Sequence, residues 1–317
     1  MWATGWVWPV VGSMRVLITG GGGNLGRVLA PALVEAGHEP ILMDNRALRT
    51  PHEAVQADVR DRMKVLEAFR EADVVVHAAA LHRIHLEEYK TDDFWDLNVA
   101  GTHNVYEAAR ECEVGKVLLC STMGVYGETA QEAGDPPVIT EDLPLKPSDF
   151  YGFSKKLCEE MAAFYDRRHG IRTIAYRLGM FVPESFVGYG FRLLKGGVDD
   201  RDVAQAFLLG LDNATITCDA FNIMAEVPFS TEEFARFKRE PETFLEEHYP
   251  SITKLVDEQG EDFGELVRMW GFTYWSIEKA KRVLGYRPRY NFPEFFEAFK
   301  SDDRSHYPYA DLPWWGV

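Results

Sequence analysis

The chain has 317 residues, 46% of them hydrophobic and 26% charged, and a formal net charge of -16. That is enough apolar material for one large core, or for a core and a smaller lobe, while the acidic balance disfavours nucleic acid as a partner. No apolar run reaches the roughly 18 to 20 residues that a bilayer span requires, so no membrane role is expected either.

Taken in chain order, the first 13 residues, MWATGWVWPVVGS, lack the basic start of a signal peptide and run straight into a strand. Residues 1–13 therefore read as an N-terminal extension or added tail ahead of a start at Met14, or else as an apolar arm for a partner subunit. From there short β-branched runs alternate with amphipathic stretches. "RVLIT" (15–19), "PILMD" (40–44), "AVQAD" (54–58), "DVVVHAA" (73–79) and "KVLLCS" (116–121) read as strands, with helical patterns at 24–36, 60–71 and 92–112 between them. Strands apolar on both faces, alternating with helices, predict a doubly wound parallel α/β sheet. A helix at 149–168 and a strand at 171–178 continue the rhythm, which breaks after residue 180. A helix at 199–211 and a strand at 220–224 return to it, and the acidic, aromatic tail 228–317 reads as a smaller, mostly helical lobe. The expected division is a nucleotide-binding domain at 14–180 and a mainly substrate-binding lobe at 181–317, with about 199–224 returning to the first. The four cysteines, Cys112, Cys120, Cys158 and Cys218, are widely spaced with no C-x-x-C, as expected of reduced core thiols in a cytoplasmic protein.

Between the first strand and first helix stands Thr19-Gly20-x-x-Gly23-x-x-Gly26. A tight turn, close approach of a pyrophosphate to bare backbone, and the positive end of a helix dipole all call for glycine there. Gly21 and Gly22 fall at variable places and read as easing the loop. Asp44 ends the second strand 24 residues after Gly20, where a carboxylate meets the adenosine ribose hydroxyls and repels a 2′-phosphate. This favours NAD over NADP, against Arg46 and Arg49, either of which is placed to clamp that phosphate. Asp58, in "ADVRD", reads either as a contact to the adenine edge or as a helix cap.

"FYGFSKK" puts Tyr151 and Lys155 four apart on one helix face. A tyrosine is a poor base at its ordinary pKa near 10, and an ammonium beside it favours the phenolate. Ser121 and Thr122, at the end of the fifth strand, lie on the sheet edge where ligands bind. A hydroxyl there can hold a substrate oxygen while the tyrosine moves its proton.

At this point the sequence resembles the extended short-chain dehydrogenase/reductases, the NAD-dependent epimerase/dehydratase family. The resemblance covers about residues 14–290 and rests on "TGGGGNLG", "ADVRD", "HAAA", "NVAGTHNVYEAA", "STMGVYG", "YGFSK", "RDVAQA" and "IEKAKRVLGYRP" in order. It implies a Rossmann-type α/β fold with NAD as cofactor, Tyr151 as acid/base, Lys155 lowering its pKa and binding the nicotinamide ribose, and Thr122 as the catalytic hydroxyl. Beside Gly20, Gly23, Gly26, Asp44 and Asp58 it places Asn24, Leu25, Asn45, Val59, Ala78, Ala79, Ala80 and Ser121 along the cofactor. Asn98 would be a buried polar residue linking strands. It also implies a homodimer through helices 92–112 and 149–168.

Within the family, dehydratases carry an Asp-Glu pair after the catalytic hydroxyl, where this chain has Met123 and Gly124. Epimerases usually have an Asn three residues beyond the equivalent of Arg177 and then a long nucleotide-wrapping segment. Here Met180 stands at that place, and only 24 residues separate Arg177 from Asp202. The short segment and "R-x-G-x-x-x-P-E" look like the uronate and aldose dehydrogenase branch. The leading expectation is hydride transfer between NAD and a carbinol carbon of a small carbohydrate or sugar acid. The alternatives are a nucleotide-sugar epimerase with tightly bound NAD and a non-catalytic NAD(P)-binding regulator. Thr122, Met123, His82, Arg83, Tyr189 and Arg192 are the expected substrate contacts, with Arg83 or Arg192 as carboxylate clamp. His82 and His85 lack a third ligand, so no metal is expected. The aromatic tail 306–317 reads as docking on the body, with a lid or a subunit contact as alternatives.

Overall fold

The computed structural model describes residues 12–310 and 312, which leaves most of the N-terminal extension and the end of the aromatic tail outside the described residues. The first half runs β1 (Arg15–Thr19), α1 (Asn24–Glu35), β2 (Glu39–Asp44), β3 (Glu53–Gln56), α2 (Arg62–Phe69), β4 (Val74–His77), α3 (Thr91–Phe94), α4 (Gly101–Glu111), β5 (Lys116–Thr122), α5 (Thr129–Glu132) and β6 (Val138–Ile139). The second half runs α6 (Phe150–His169), β7 (Arg172–Leu178), α7 (Phe186–Leu193), α8 (Asp200–Asp212), β8 (Cys218–Ile223), α9 (Thr231–Arg239), α10 (Pro241–His248), α11 (Ile252–Glu258), α12 (Phe263–Arg268), β9 (Tyr274–Trp275) and α13 (Phe292–Lys300).

Seven strands form one sheet in the order β3-β2-β1-β4-β5-β7-β8, all pairs parallel. The order reverses between β1 and β4, which opens a crevice at the carboxyl ends of the strands, where α/β sheets take their ligands. Alternate strand residues feed two cores. Leu17, Val75, Val117 and Ala175 pack under Phe69, Tyr106 and Tyr165 on the face of α2, α4 and α6. Val16, Ile18, Val76, Leu118 and Ile174 pack under Leu25, Leu29 and Phe207 on the face of α1 and α8. A third core, rich in phenylalanine, joins α7 to α9–α13 and receives Val28 of α1. Tyr307 stacks on Tyr189, with ring centroids 3.7 Å apart, so this part of the aromatic tail docks on the body.

Two elements differ from the sequence expectation. The helix expected over 92–112 is α3, a π-helical turn over Trp95–Ala100, and α4. The distortion lets Asn98 turn inward, and Gly101 sits against Val59, where a Cβ would lie 2.8 Å from its Cγ2. The short helix α7 was not anticipated, since "FVGYGFRL" holds two helix-weakening glycines. Packing overrides that weakness: a Cβ on Gly190 would fall 2.1 Å from the Phe295 ring, so the bare backbone is what lets α7 meet α13.

Candidate active site

Thr19 ends β1, and the chain then turns under the start of α1. Gly20 has φ +67, and a Cβ on it would lie 2.8 Å from the Ala79 backbone; a Cβ on Gly26 would lie 2.0 Å from the Gly21 carbonyl oxygen. Both glycines are therefore demanded by turn geometry and by close packing of the helix on the loop. Gly21 is not slack, contrary to the sequence reading: an added Cβ would stand 2.8 Å from Leu42 Cβ and 2.9 Å from its Cα, whereas at Gly22 it would meet only side-chain tips, Leu48 Cδ2 at 2.6 Å the nearest. Gly23 caps α1 without any side-chain hydrogen bond, leaving the first-turn N–H groups aimed at the crevice. Asn24 accepts from Arg27 at 3.1 Å, while the Leu25 side chain is buried in the core, so that residue can offer a cofactor only its backbone.

Asp44 lies at the end of β2 beside the loop. Its Oδ2 accepts from the Gly22 N–H at 3.0 Å, and its Oδ1 accepts from the Arg46 N–H and Nε at 3.0 and 3.2 Å. Asn45 is exposed, its carbonyl accepting from Gln56. Asp58 is not the cap of α2, a place that Asp61 takes; its carboxylate is held by Arg60 through Nε and Nη2 at 2.9 and 2.6 Å. The Arg60 bond, working against desolvation, lowers the Asp58 pKa. Val59 is buried, and its carbonyl accepts from Asn104 of α4.

Ala78, Ala79 and Ala80 form the loop after β4. Thr19 Oγ1 accepts from the Ala78 and Ala79 N–H groups at 3.2 Å, so its proton goes to His77 Nδ1 at 2.7 Å. His77 Nε2 then donates to Thr102 Oγ1 at 2.9 Å, which donates to the Asn98 carbonyl. Burial first, then the Lys155 charge, push His77 down to about 3, so it is a neutral tie between strands. Asn98 does not link strands. It clasps both backbone groups of Leu81 at 2.8 and 3.0 Å and donates to Ser154 of α6 at 2.9 Å, tying the loop after β4 to the helix that carries Tyr151.

Asp149 caps α6, accepting from the Gly152 N–H at 2.7 Å, and so fixes the first turn, where Tyr151 stands. Tyr151 is buried and feels the Thr122 hydroxyl, which lowers its pKa, and Thr122 Oγ1 accepts from the Gly124 N–H at 3.1 Å. Thr122, Tyr151 and Lys155 thus meet at the carboxyl end of β5. Two details differ from expectation. Lys155 donates to the Cys120 carbonyl at 2.9 Å, and the Tyr151 pKa is raised by burial, against the lowering effect of Thr122. Ser121 stands beside this cluster at the end of β5. Its hydroxyl donates to Glu159 at 2.5 Å, and Glu159 takes Arg177 through Nε and Nη2 at 3.1 and 2.8 Å. Arg177 donates on to the Tyr126 hydroxyl, and Tyr126 to Asn222, both at 2.8 Å. This buried network locks the ends of β5, β7 and β8 beneath the site. Glu159 was missed, although its spacing four residues beyond Lys155 put it on the Tyr151 face of one helix.

Of the expected substrate contacts, Met123 is half-buried at the rim, and Arg83 is exposed and paired with Asp149 at 3.4 Å. His82 faces Tyr151, with its Nδ1 3.5 Å from the hydroxyl. Tyr189 and Arg192 must be withdrawn, since both are fully buried. The Tyr189 hydroxyl donates to Asp199 at 2.7 Å, and Arg192 is spent on the Val182 carbonyl at 2.5 Å and on Glu184 at 3.5 Å. Both lie on α7, the helix whose inward fold could not be read from the sequence.

The NAD dependent epimerase/dehydratase family model matches residues 16–187, a stretch that includes the glycine loop, Asp44, Thr122, Tyr151 and Lys155. An L-arabinose 1-dehydrogenase (NAD(P)(+)) of Haloferax volcanii is 33% identical over 52% of this chain and 66% of its own length. A uronate dehydrogenase of Pseudomonas syringae pv. tomato is 30% identical over 65% of this chain and 77% of its own. A UDP-glucose 4-epimerase of Streptomyces lividans is 33% identical over 51% of each. With the family model spanning more than half of its residues, and the glycine loop, Asp44 and the Thr122, Tyr151 and Lys155 cluster all at one sheet edge, the chain belongs to the NAD-dependent epimerase/dehydratase family.

Proposed function

We propose that the protein oxidises or reduces a carbinol carbon of a small, free carbohydrate or sugar acid, with NAD as hydride partner. The observation that carries this reading is the segment after Arg177. It folds into one short helix, α7, whose Tyr189 and Arg192 are committed to the interior, leaving little chain to wrap a nucleotide. NAD supplies the hydride chemistry, while the residues of this chain handle the oxygen and its proton. Thr122 holds the substrate oxygen, Tyr151 exchanges its proton, and the Lys155 ammonium supports the phenolate and the nicotinamide ribose. Arg83, at the rim, is the charge available to a sugar carboxylate. The likeness to an arabinose and a uronate dehydrogenase supports this reading, and the likeness to an epimerase keeps nucleotide-sugar epimerisation as the second one.

The test is a panel of aldoses and uronates with NAD, followed by absorbance of the reduced cofactor. Turnover is expected on at least one, falling by about 10²- to 10⁴-fold in kcat for Tyr151→Phe with NAD binding retained. Interconversion of a UDP-sugar with no turnover on the panel would transfer the assignment to the epimerases. We also place the protein in the cytoplasm, in keeping with four unpaired cysteines, and as a homodimer through helices 92–112 and 149–168. Trp95, Phe153 and Phe164 on these helices are 48%, 40% and 47% exposed, an apolar face that a second copy would cover. A monomeric mass by light scattering would refute the dimer. Among the described residues no helix is long and apolar enough to cross a membrane.

A further inference from the structure

Proton transfer at Tyr151 needs an outlet, because the phenol is buried and Lys155, the cation four residues along the same helix, is itself buried and turned to the Cys120 carbonyl. His82 joins Tyr151 to solvent. Its Nδ1 lies 3.5 Å from the Tyr151 hydroxyl, the ring centroids are 5.8 Å apart, and the residue itself is exposed. The loop is built to hold it there. The His82 backbone N–H donates to His85 Nδ1 at 2.7 Å, and the adjoining Leu81 is clasped on both backbone groups by Asn98. A contact of 3.5 Å is long for a hydrogen bond, but catalytic contacts in ligand-free sites commonly tighten when substrate is present.

We propose that His82 is the proton relay of this site, carrying the proton that Tyr151 takes from the substrate hydroxyl out to solvent; this rests on the dehydrogenase reading above. In the oxidation, the carbinol C–H bond breaks with its electron pair going to NAD+ as hydride. The O–H proton goes to the Tyr151 phenolate, and the C=O bond forms. Tyr151 then donates to His82 Nδ1 while the Nε2 proton of His82 leaves to water, so that one hydride and one proton are accounted for. Reduction runs the same path inward. The charged and titratable groups around the pair are Lys155 and Cys158 on α6, Asp149 at its cap, Cys120 on β5, and Arg83 and His85 on the loop. Desolvation on the Tyr151 side, then the Lys155 and His85 charges, lower the imidazole pKa, which keeps His82 in its proton-accepting form at neutral pH; its exposure limits the size of that fall.

Two measurements decide the matter. The first needs no substrate: in protein with ¹³C-labelled histidine, the His82 ring signal, identified by its loss in His82→Gln, should change its titration and tautomer in Tyr151→Phe. The other histidine signals should hold still. An unchanged His82 signal overturns the proposal. The second is kinetic. His82→Ala should lower kcat by about 10²-fold with KM little changed, and added imidazole should restore turnover in proportion to its concentration. A variant with wild-type kcat, a change confined to KM, or loss of kcat that imidazole does not repair would each overturn it, the last two marking a substrate contact or a structural residue. A wild-type protein that turns over no sugar of the panel would instead refute the dehydrogenase reading, and the histidine spectrum would still report whether the Tyr151 and His82 pair is coupled.

Discussion

Replacing Asp44 separates what the carboxylate does for NAD from what it does against NADP. The side chain is 7% exposed, and both its oxygens are already oriented by Gly22 and Arg46, so little ordering remains to be done when a ribose arrives. A hydrogen bond to a charged acceptor contributes about 1.5–3 kcal/mol, so losing one such ribose contact corresponds to roughly a 10- to 150-fold weaker NAD complex. Asp44→Asn keeps the shape and an oxygen that can accept from the Gly22 N–H, and isolates the charge. Asp44→Ala also frees the Arg46 guanidinium, which stands 3.2 Å from the carboxylate, to meet a 2′-phosphate. Calorimetric titration of each protein with NAD and NADP should show the wild type preferring NAD, Asp44→Asn losing affinity for NAD, and Asp44→Ala inverting the preference. Wild-type NAD affinity in Asp44→Asn, or equal binding of the two cofactors by the wild type, would refute the role assigned to this residue.

Further expectations concern stability. Glu159→Gln leaves the Arg177 guanidinium buried without its counter-charge, and loss of one partner of such a pair costs about 3–5 kcal/mol; urea melts should show it, with the double replacement Glu159→Leu/Arg177→Met costing less than the single one. Gly210→Ala would set a Cβ 1.7 Å from the hydroxyl of the buried Tyr176, an overpacking worth about 1–3 kcal/mol, and adding Tyr176→Phe should recover most of the lost melting temperature. Burial, then the neighbouring Asp199 charge, raise Asp200 to about 7 from an ordinary 3.8. A raised carboxyl favours the folded state below its unfolded pKa and loses that advantage as pH climbs through the folded value. Thermal unfolding across this window should therefore show the wild type losing stability toward pH 7 and Asp200→Asn losing less. An equal slope would remove Asp200 from the account.

The parallel sheet was legible because both-face burial leaves uninterrupted apolar strands, and the observed β1, β2, β4, β5 and β7 lie within a few residues of their expected bounds. The Thr19 to Gly26 loop, Asp44, and the Tyr151 and Lys155 pair were legible because each depends on short-range spacing: a turn, a strand end, one helical face. The roles of Tyr189 and Arg192 were not. Their side-chain types fit a substrate site, but whether α7 turns them outward or into the phenylalanine core depends on Gly190 meeting Phe295, more than 100 residues away in the chain. The same holds for Gly21, whose need for bare backbone comes from the Leu42 backbone of the neighbouring strand.

What the sequence by itself determined is the shape of the glycine loop and the placing of Tyr151 and Lys155 on one helix face, because these are local patterns that sterics and helix geometry dictate wherever they occur. Only the tertiary structure decided which polar groups remain available to a substrate. A side chain's freedom is a matter of what surrounds it: Ser121 is taken by Glu159 of a later helix, and Tyr189 and Arg192 are turned inward on α7, which packs on Phe295 and Tyr307 from far along the chain.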